Sequence, residues 1–190
     1  MAVIDSYSET NANSYGSNLN STGLTAIGQS FTGDGGSAGL ARFYARKVGS
    51  PTGNMVAKIF AHSGTFGTSS VPSGAALATS DPVDAATLTG TETLTAFTFP
   101  APVTVTAGTK YLVTIEYSGG NGSNYVQTGI DTSSPTHGGN AYYTVSGSDT
   151  AVSSWDLVFY VESAAAGQPA MRRVGGVPGM LGAGRLGRSW

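Results

Sequence analysis

The sequence contains no cysteine and few charged residues. None of its 190 residues is Cys, so disulfides and thiolate metal sites are excluded, and stability has to come from packing or assembly. Charged residues make up only 11%, well below the usual proportion of roughly a quarter. No apolar run approaches a membrane span, and the opening segment MAVIDSYSETNANS lacks both a basic region and a long apolar stretch. We therefore expect no membrane contact, and synthesis in the cytoplasm without a secretory signal.

The charges are divided unevenly along the chain. Residues 1–163 hold all 11 acidic residues and five basic ones, a balance of −6, whereas residues 164–190 hold four Arg and no acid, a balance of +4. This change predicts a folded body over residues 25–163 and an extended Gly- and Arg-rich arm over residues 164–190. Residues 1–24, rich in Asn, Ser and Thr, predict an N-terminal arm with one short strand near residues 2–4.

Short segments in which apolar and polar residues alternate recur through the body. In residues 41–47, Ala41, Phe43 and Ala45 share one face, which a period of two assigns to the core. Further strands are predicted at residues 28–31, 54–62, 92–99, 110–117, 125–130, 141–145 and 157–161. Residues 63–76, with several Gly and a Pro, predict a long loop available for function. Short strands separated by Gly, Pro, Asn and Ser turns predict an all-β fold: one antiparallel, jelly-roll-like sandwich.

Several phrases of the body resemble a known domain. They are KVGSPTGNMVAKIFAHSGTFGTSS, ALATSDPVD, FTFPAPVTVTAGTKYLVTIEYSGG and SSPTHGGNAYY. Together they resemble a jelly-roll-type domain of tailed-phage structural proteins and of bacterial surface and anchoring proteins, over roughly residues 29–161. The resemblance implies a non-enzymatic domain that often accompanies carbohydrate-binding or anchoring modules, and it brings no catalytic motif. The closing QPAMRRVGGVPGMLGAGRLGRSW is similar to the ends of some phage structural proteins.

The C-terminal segment carries features that suit a partner. Its apolar residues could anchor in pockets of that partner, and its arginines could reach acidic surfaces such as the body of a neighbouring copy. The predicted assembly residues are Met171, Arg172, Arg173, Met180, Leu181, Arg185, Leu186, Arg188 and Trp190. A disordered tail is the alternative interpretation. Nucleic acid is not expected as a partner, because the four arginines lack interleaved aromatics and the body is acidic.

The later loops contain a second set of candidates. Aromatic rings beside amide and carboxylate groups are what sugar binding needs, because a ring packs on the apolar face of a sugar while polar groups take its hydroxyls. The candidate glycan-binding residues are Tyr125, His137, Tyr142, Tyr143 and Trp155. Burial in the sandwich or at subunit contacts is the alternative role for these side chains.

Other motifs predict less chemistry. Asp81 and Asp84 are weak candidate Ca²⁺ ligands, because calcium takes six to eight oxygens, and an Asp-Pro turn is the favoured explanation of the pair. The G-x-S-x-G match at residues 35–39 and the G-x-G-x-x-G match at residues 182–187 lack the strand–helix context that those motifs require. We expect no enzyme activity and no cofactor.

Two functional hypotheses follow from the sequence. The first is a virion structural protein, such as a capsid decoration or tail-associated protein, anchored through its C-terminal arm to other virion proteins and to copies of itself, as a homo-oligomer such as a trimer. The alternative is a carbohydrate-binding adhesin module that recognises host or environmental glycans. Both place the protein on the outer surface of an assembly.

Overall fold

The computed structural model describes residues 1–16, 18–20 and 23–165. These residues form the predicted all-β sandwich, with two antiparallel sheets packed around one core. The strands are β1 (Val3–Tyr7), β2 (Ser14–Tyr15), β3 (Leu24–Thr32), β4 (Ser37–Val48), β5 (Asn54–Ser63), β6 (Val71–Thr79), β7 (Val83–Asp84), β8 (Thr93–Thr104), β9 (Lys110–Glu116), β10 (Tyr125–Asp131), β11 (Ala141–Val145), β12 (Ser148–Val152), β13 (Asp156–Leu157) and β14 (Phe159–Ser163). No helix among these residues is long and apolar enough to cross a bilayer.

The first sheet is organised around β4. One edge of β4 pairs with β8, and the other edge pairs first with β14 and then with β10. Strand β1 lies outside β14, while β2 and β13 pair with the far half of β10. The second sheet has the order β12-β11-β3-β9-β5-β6, with β7 also on β5. The chain crosses between the sheets from β3 to β4, from β4 to β5 and repeatedly from β8 to β11.

The alternation seen in the sequence fixes the core. Ala41, Phe43 and Ala45 are completely buried between the sheets, which confirms the inward face predicted for β4. The rings of Phe43 and Phe97 meet edge to face across the β4–β8 pair, with centroids 5.8 Å apart. Such aromatic pairs add to the free energy gained by burying apolar surface.

The central strands of the second sheet, β3 and β9, are buried on both of their faces. Val113 points into the core, while Leu112 and Thr114 point to the outer face, yet all three are fully buried. The outer face is covered because the sheet curls until its two opposite edge strands, β6 and β12, come into contact. Strong twist and coiling of this kind are usual for sheets of this size.

The N-terminal segment differs from the prediction of an arm. Its short strand exists as β1, but β1 pairs antiparallel with β14, and Ser14 and Tyr15 in β2 pair with β10. The described residues of 1–24 therefore belong to the sandwich. Of the predicted C-terminal arm, Ala164 continues the sheet by donating its N–H to the carbonyl of Ser37 at 2.8 Å, and residues 166–190 lie outside the described part.

The prediction of a long loop over residues 63–76 is wrong. Strand β6 begins at Val71 and pairs with β5. Pro72 and Gly74 hid this strand, because Pro is tolerated on an edge strand and Gly at a bulge. Pro72 lies opposite His62, and Gly74, with φ of 71°, begins the bulge that separates the Ala61–Ser73 and Ile59–Ala78 pairs. Strand β8 likewise continues past its predicted end at Pro100, since it too is an edge strand, with an irregularity in its pairing between Ala38 and Leu40 of β4.

The two ends of the sandwich differ, and we call them the first and second poles. At the first pole the N–H of Ser163 donates to the carbonyl of Ala2 at 2.8 Å, and the N–H of Ala2 donates to the Ser163 hydroxyl at 2.9 Å. Thr32 and Lys110 are paired at this same end. Glu116, the last residue of β9, and Asn54, the first of β5, lie at the second pole, because both strands run between the two ends.

We predict that Gly28→Ala destabilises the fold. A Cβ at this position would lie 2.5 Å from both the Val113 carbonyl oxygen and the Tyr142 ring, and the backbone contact cannot relax cheaply. The expected loss in the free energy of unfolding is about 1–3 kcal/mol, measured by urea denaturation.

Gly90→Ala is the matched control, because an added Cβ there meets nothing within 4 Å. Its effect should stay within about 0.5 kcal/mol. Equal stability of the two variants would show that the second sheet does not depend on the close approach at Gly28.

Candidate functional site: a groove on the second sheet

A groove of about 400 Å³ opens on the outer face of the second sheet, towards the second pole. Strand register places its lining residues in rows that run across the sheet. Thr144, Ala26, Glu116 and Val56 form one such row, from β11 through β3 and β9 to β5. Neighbouring strands are about 4.8 Å apart, so Thr144 and Glu116, two strands apart, are separated by roughly 10 Å.

The end of the groove nearer the first pole, which we call the deep end, is apolar. Tyr142 lies across Gly28, whose missing side chain leaves room for the ring, and Phe60 and Pro72 complete this end. Tyr142 is only 1% exposed, so its ring walls the groove and offers no free face. Burial also raises the pKa of the Tyr142 hydroxyl above its ordinary value, so this group stays neutral.

The end of the groove nearer the second pole, which we call the mouth, carries polar and charged groups. Lys58 donates to Glu116 at 2.6 Å and forms a partly exposed ion pair with it. On the opposite side the Thr144 hydroxyl donates to Asp149 Oδ1 at 2.6 Å. Asn54, which is exposed, adds an amide at the edge. The groove therefore combines an apolar end with hydrogen-bonding groups, which is the usual composition of a ligand site.

A smaller depression of about 290 Å³ lies on the outer face of the first sheet. Tyr15 is half-exposed there, and the guanidinium of Arg46 lies 3.8 Å from its ring centroid. The polar groups around it already bind one another, since Arg46 donates twice to Gln127 and Tyr160 donates to Glu9 at 2.5 Å. The groove on the second sheet is therefore the better candidate site.

The predicted glycan-binding residues do not form one cluster. Tyr125 is in the first sheet, opposite Val48, whereas Tyr142 walls the groove of the second sheet. Tyr143 and Trp155 are partly buried against the core, with ring centroids 6.4 Å apart. Only Tyr142 among the predicted aromatics therefore contributes to the groove.

His137, the remaining candidate, belongs to a polar network that fastens β1 to the body. Its Nδ1 accepts the Gly139 N–H at 3.1 Å and lies 3.2 Å from the Gln29 amide nitrogen, so the ring proton belongs on Nε2. Nε2 then donates to Asp5 Oδ1 at 3.2 Å. Burial alone would raise the pKa of Asp5, but hydrogen bonds from His137 and the Thr32 N–H outweigh it and lower that pKa below its ordinary value. Both ring nitrogens are thus engaged in holding the fold.

A second carboxylate lies on the other side of this network. Gln29 is completely buried and donates to Asp156 Oδ1 at 2.7 Å, while the His137 N–H donates to Oδ2 at 2.8 Å. Burial nevertheless raises the pKa of Asp156 above its ordinary value, because the desolvation of the charge exceeds the effect of these two bonds.

Asp131 anchors the N-terminal segment from β10. The Tyr7 hydroxyl donates to Asp131 Oδ2 at 2.7 Å, and the Asn13 amide donates to Oδ1. The N–H groups of Ser133 and Ser134 add two further hydrogen bonds. Together, with the Tyr7 bond first, they lower the pKa of Asp131 to about 2. These bonds explain why the first 16 residues lie against the body.

The candidate calcium ligands have local structural contacts. Asp84 caps the short 3-10 turn Ala85–Thr87, because its carboxylate accepts the Ala86 N–H at 2.9 Å. Asp81 is exposed, and its N–H donates to the Thr98 carbonyl at 2.8 Å. Within residues 1–16, 18–20 and 23–165, no group of three or more acidic or His side chains is arranged to hold a metal ion. The assembly residues predicted between Met171 and Trp190 lie outside the described residues.

The sequence offered only a partial signal for the groove. Val56 and Phe60 are apolar on the face of β5 opposite the core residues Met55, Ala57 and Ile59, which indicates a strand covered on both sides. Glu116 and Thr144 carry no such signal. They become neighbours of the same cavity only through the pairing of β11, β3 and β9.

We predict that Tyr7→Phe destabilises the protein in a pH-dependent way. The pKa of Asp131 is about 2 in the folded state against an ordinary value of 3.8, so its ionised form contributes stability that is complete above pH 3.8 and is lost as the pH falls towards 2. Losing the Tyr7 hydroxyl should cost about 1–3 kcal/mol at neutral pH. The difference in the free energy of unfolding between the variant and the wild type should become smaller as the pH falls through this window. Urea unfolding at several pH values measures that difference.

Tyr111→Phe is the control for this effect. The Tyr111 hydroxyl accepts a hydrogen bond from the backbone N–H of Thr106 at 3.0 Å, and no described carboxylate is hydrogen-bonded to it. Its removal should destabilise by an amount that does not change over the same pH window. A pH-independent loss in Tyr7→Phe would contradict the role given to Asp131.

Comparison with known proteins finds no matching family model and no significant match among curated proteins or solved structures. The groove and the distribution of charge in this chain are therefore the features that indicate its function.

Proposed function

We propose that this protein is a non-enzymatic carbohydrate-binding module and that the groove on the second sheet is its sugar site. The observation that supports this proposal is the division of the groove into an apolar deep end and a polar mouth. A sugar ring presents the same division, with C–H groups on its faces and hydroxyls around its edge. Phe60 and Val56, both half-buried, offer apolar contact, while Asn54, Glu116 and Asp149 offer partners for hydroxyls.

Binding, without catalysis, fits the two carboxylates of the groove. Glu116 is ion-paired with Lys58, and Asp149 is bonded to the Thr144 hydroxyl. Glu116 is in β9 and Asp149 is in β12, so the two carboxylates lie on opposite sides of the mouth. Fixed carboxylates of this kind accept hydrogen bonds from hydroxyl groups, and such charge-assisted bonds are stronger than neutral ones.

We predict that Val56→Trp blocks glycan binding. Val56 lies in the row between Glu116 and the edge of the sheet, and an indole there would fill the mouth of the groove. Screening the wild-type chain on a glycan array should identify a ligand. Calorimetric titration of that ligand should then show at least about tenfold weaker binding by the variant, because the sugar loses both space and hydrogen bonds.

Leu94→Trp is the matched control. Leu94 is half-buried and pairs with Tyr44 in the first sheet, so it lies away from the groove. It should bind the same ligand as tightly as the wild type. Equal binding by both variants would place the sugar site elsewhere, and an array without any hit would contradict the proposal.

A second candidate is a virion structural protein, as a capsid decoration or tail-associated subunit. The location of Ala2 and Ser163 favours it, because they meet at the first pole whereas the groove opens towards the second pole. An anchor formed by residues 164–190 would then leave the groove facing outwards. The acidic body, −6 over residues 1–163, also complements the +4 charge of the segment, so copies of the chain could bind one another in this way.

We predict that deleting residues 164–190 strongly reduces incorporation into particles or oligomers. The deletion removes all four arginines of the segment and its apolar anchors. Incorporation is measured as copies per purified particle, and oligomer size by light scattering. Replacing only Arg172, Arg173, Arg185 and Arg188 by Gln keeps the apolar anchors, so an intermediate loss is expected. Normal incorporation of the truncated chain would contradict anchoring by this segment.

A further inference from the structure

The charge at the mouth of the groove is unbalanced. Glu116 is neutralised by Lys58, whose ammonium lies 2.6 Å from the carboxylate. Asp149 accepts only the Thr144 hydroxyl, and among the described residues no basic side chain forms an ion pair with it. Asp149 is also exposed at the mouth. The groove therefore presents one carboxylate whose charge is not compensated by a neighbouring cation.

The geometry places this carboxylate within reach of a ligand in the groove. Thr144, to which Asp149 is bonded, is in the same row as Ala26 and Glu116. Ala26 contributes only a methyl group to the floor between them. A ligand that rests on Ala26 thus has Asp149 two strands away on one side, at roughly 10 Å, and the Glu116–Lys58 pair one strand away on the other, at roughly 5 Å.

The chemistry of these groups discriminates between classes of sugar. Carboxylate oxygens accept hydrogen bonds and cannot donate them, so they suit hydroxyl and amide N–H groups. A ligand carboxylate placed beside Asp149 would meet a like charge that no neighbouring cation compensates. Lys58 offers little compensation, because it already pairs with Glu116.

We propose that the groove selects uncharged sugars over uronic and sialic acids, and that Asp149 determines this selectivity. The inference rests on the proposed carbohydrate function and adds the substrate class to it. Asp149 accepts a hydrogen bond from a hydroxyl group of a neutral sugar and repels the carboxylate of an acidic one. The Thr144 hydroxyl positions the carboxylate for both tasks.

The test uses the full chain and matched pairs of neutral and acidic glycans on one array. Suitable pairs are lactose with sialyllactose, and galactose oligomers with galacturonic acid oligomers of equal length. Wild-type protein should bind the neutral member of a recognised pair about tenfold more tightly, a ratio expected for one like-charge contact near the surface. Because the repulsion is electrostatic, the ratio should fall as salt is added.

Asp149→Asn is the variant that isolates the charge. Asn keeps the size of the side chain and an oxygen that can accept the Thr144 hydroxyl, so the fold is retained, as unchanged thermal unfolding would verify. The variant should bind the acidic member several-fold more tightly than the wild type does. Its ratio of neutral to acidic affinity should therefore be smaller. Asp34→Asn changes the net charge equally at an exposed turn outside the groove and should leave the ratio unchanged.

The outcomes separate the two proposals. Equal or tighter binding of acidic glycans by the wild type would overturn the selectivity while leaving carbohydrate binding in place. A neutral preference that Asp149→Asn does not alter would overturn the role of Asp149. Failure to bind any glycan on the array would overturn the carbohydrate function and this inference with it.

Discussion

The burial of the central strands of the second sheet, β3 and β9, on both faces is the constraint on which the rest of the structure depends. Its inner face packs on the core of the sandwich, and its outer face is covered where the β6 and β12 edges meet. Gly28 makes this possible, because only a residue without a side chain lets the Tyr142 ring lie flat across β3. Towards the second pole the cover ends, and the uncovered remainder of the outer face is the groove.

The interior is held without any covalent cross-link, so buried polar contacts take part of that role. Tyr7 with Asp131, and Asp5 with His137, tie the N-terminal strand to distant parts of the chain. Such contacts are specific because each buried donor or acceptor left unpaired would be costly. The carboxylates of the protein are used in two different ways. The network uses its carboxylates internally, while Asp149 remains exposed at the mouth of the groove, where a ligand would meet it.

Prediction from sequence succeeded where a strand has one clearly apolar face. The inward residues of β4, with Phe97 and Phe99 in β8, follow from period two alone. It failed at β6, because Pro72 and Gly74 interrupt the alternation of apolar and polar residues, and an edge strand tolerates both residue types. It also treated residues 1–24 as an arm, because side-chain hydrogen bonds to residues more than a hundred positions away leave no local periodicity.

By itself the sequence determined the fold class, the inward faces of the main strands and the charge contrast between the body and residues 164–190. These properties depend on local alternation and composition, which can be read directly from the order of residues in the sequence. The tertiary structure alone decided that Thr144, Ala26, Glu116 and Val56 share a row, and that Tyr142 is separated from the other predicted aromatics. The physical reason is that cross-strand register brings together residues far apart in the chain. The sequence of a single strand does not specify which strands pair with it.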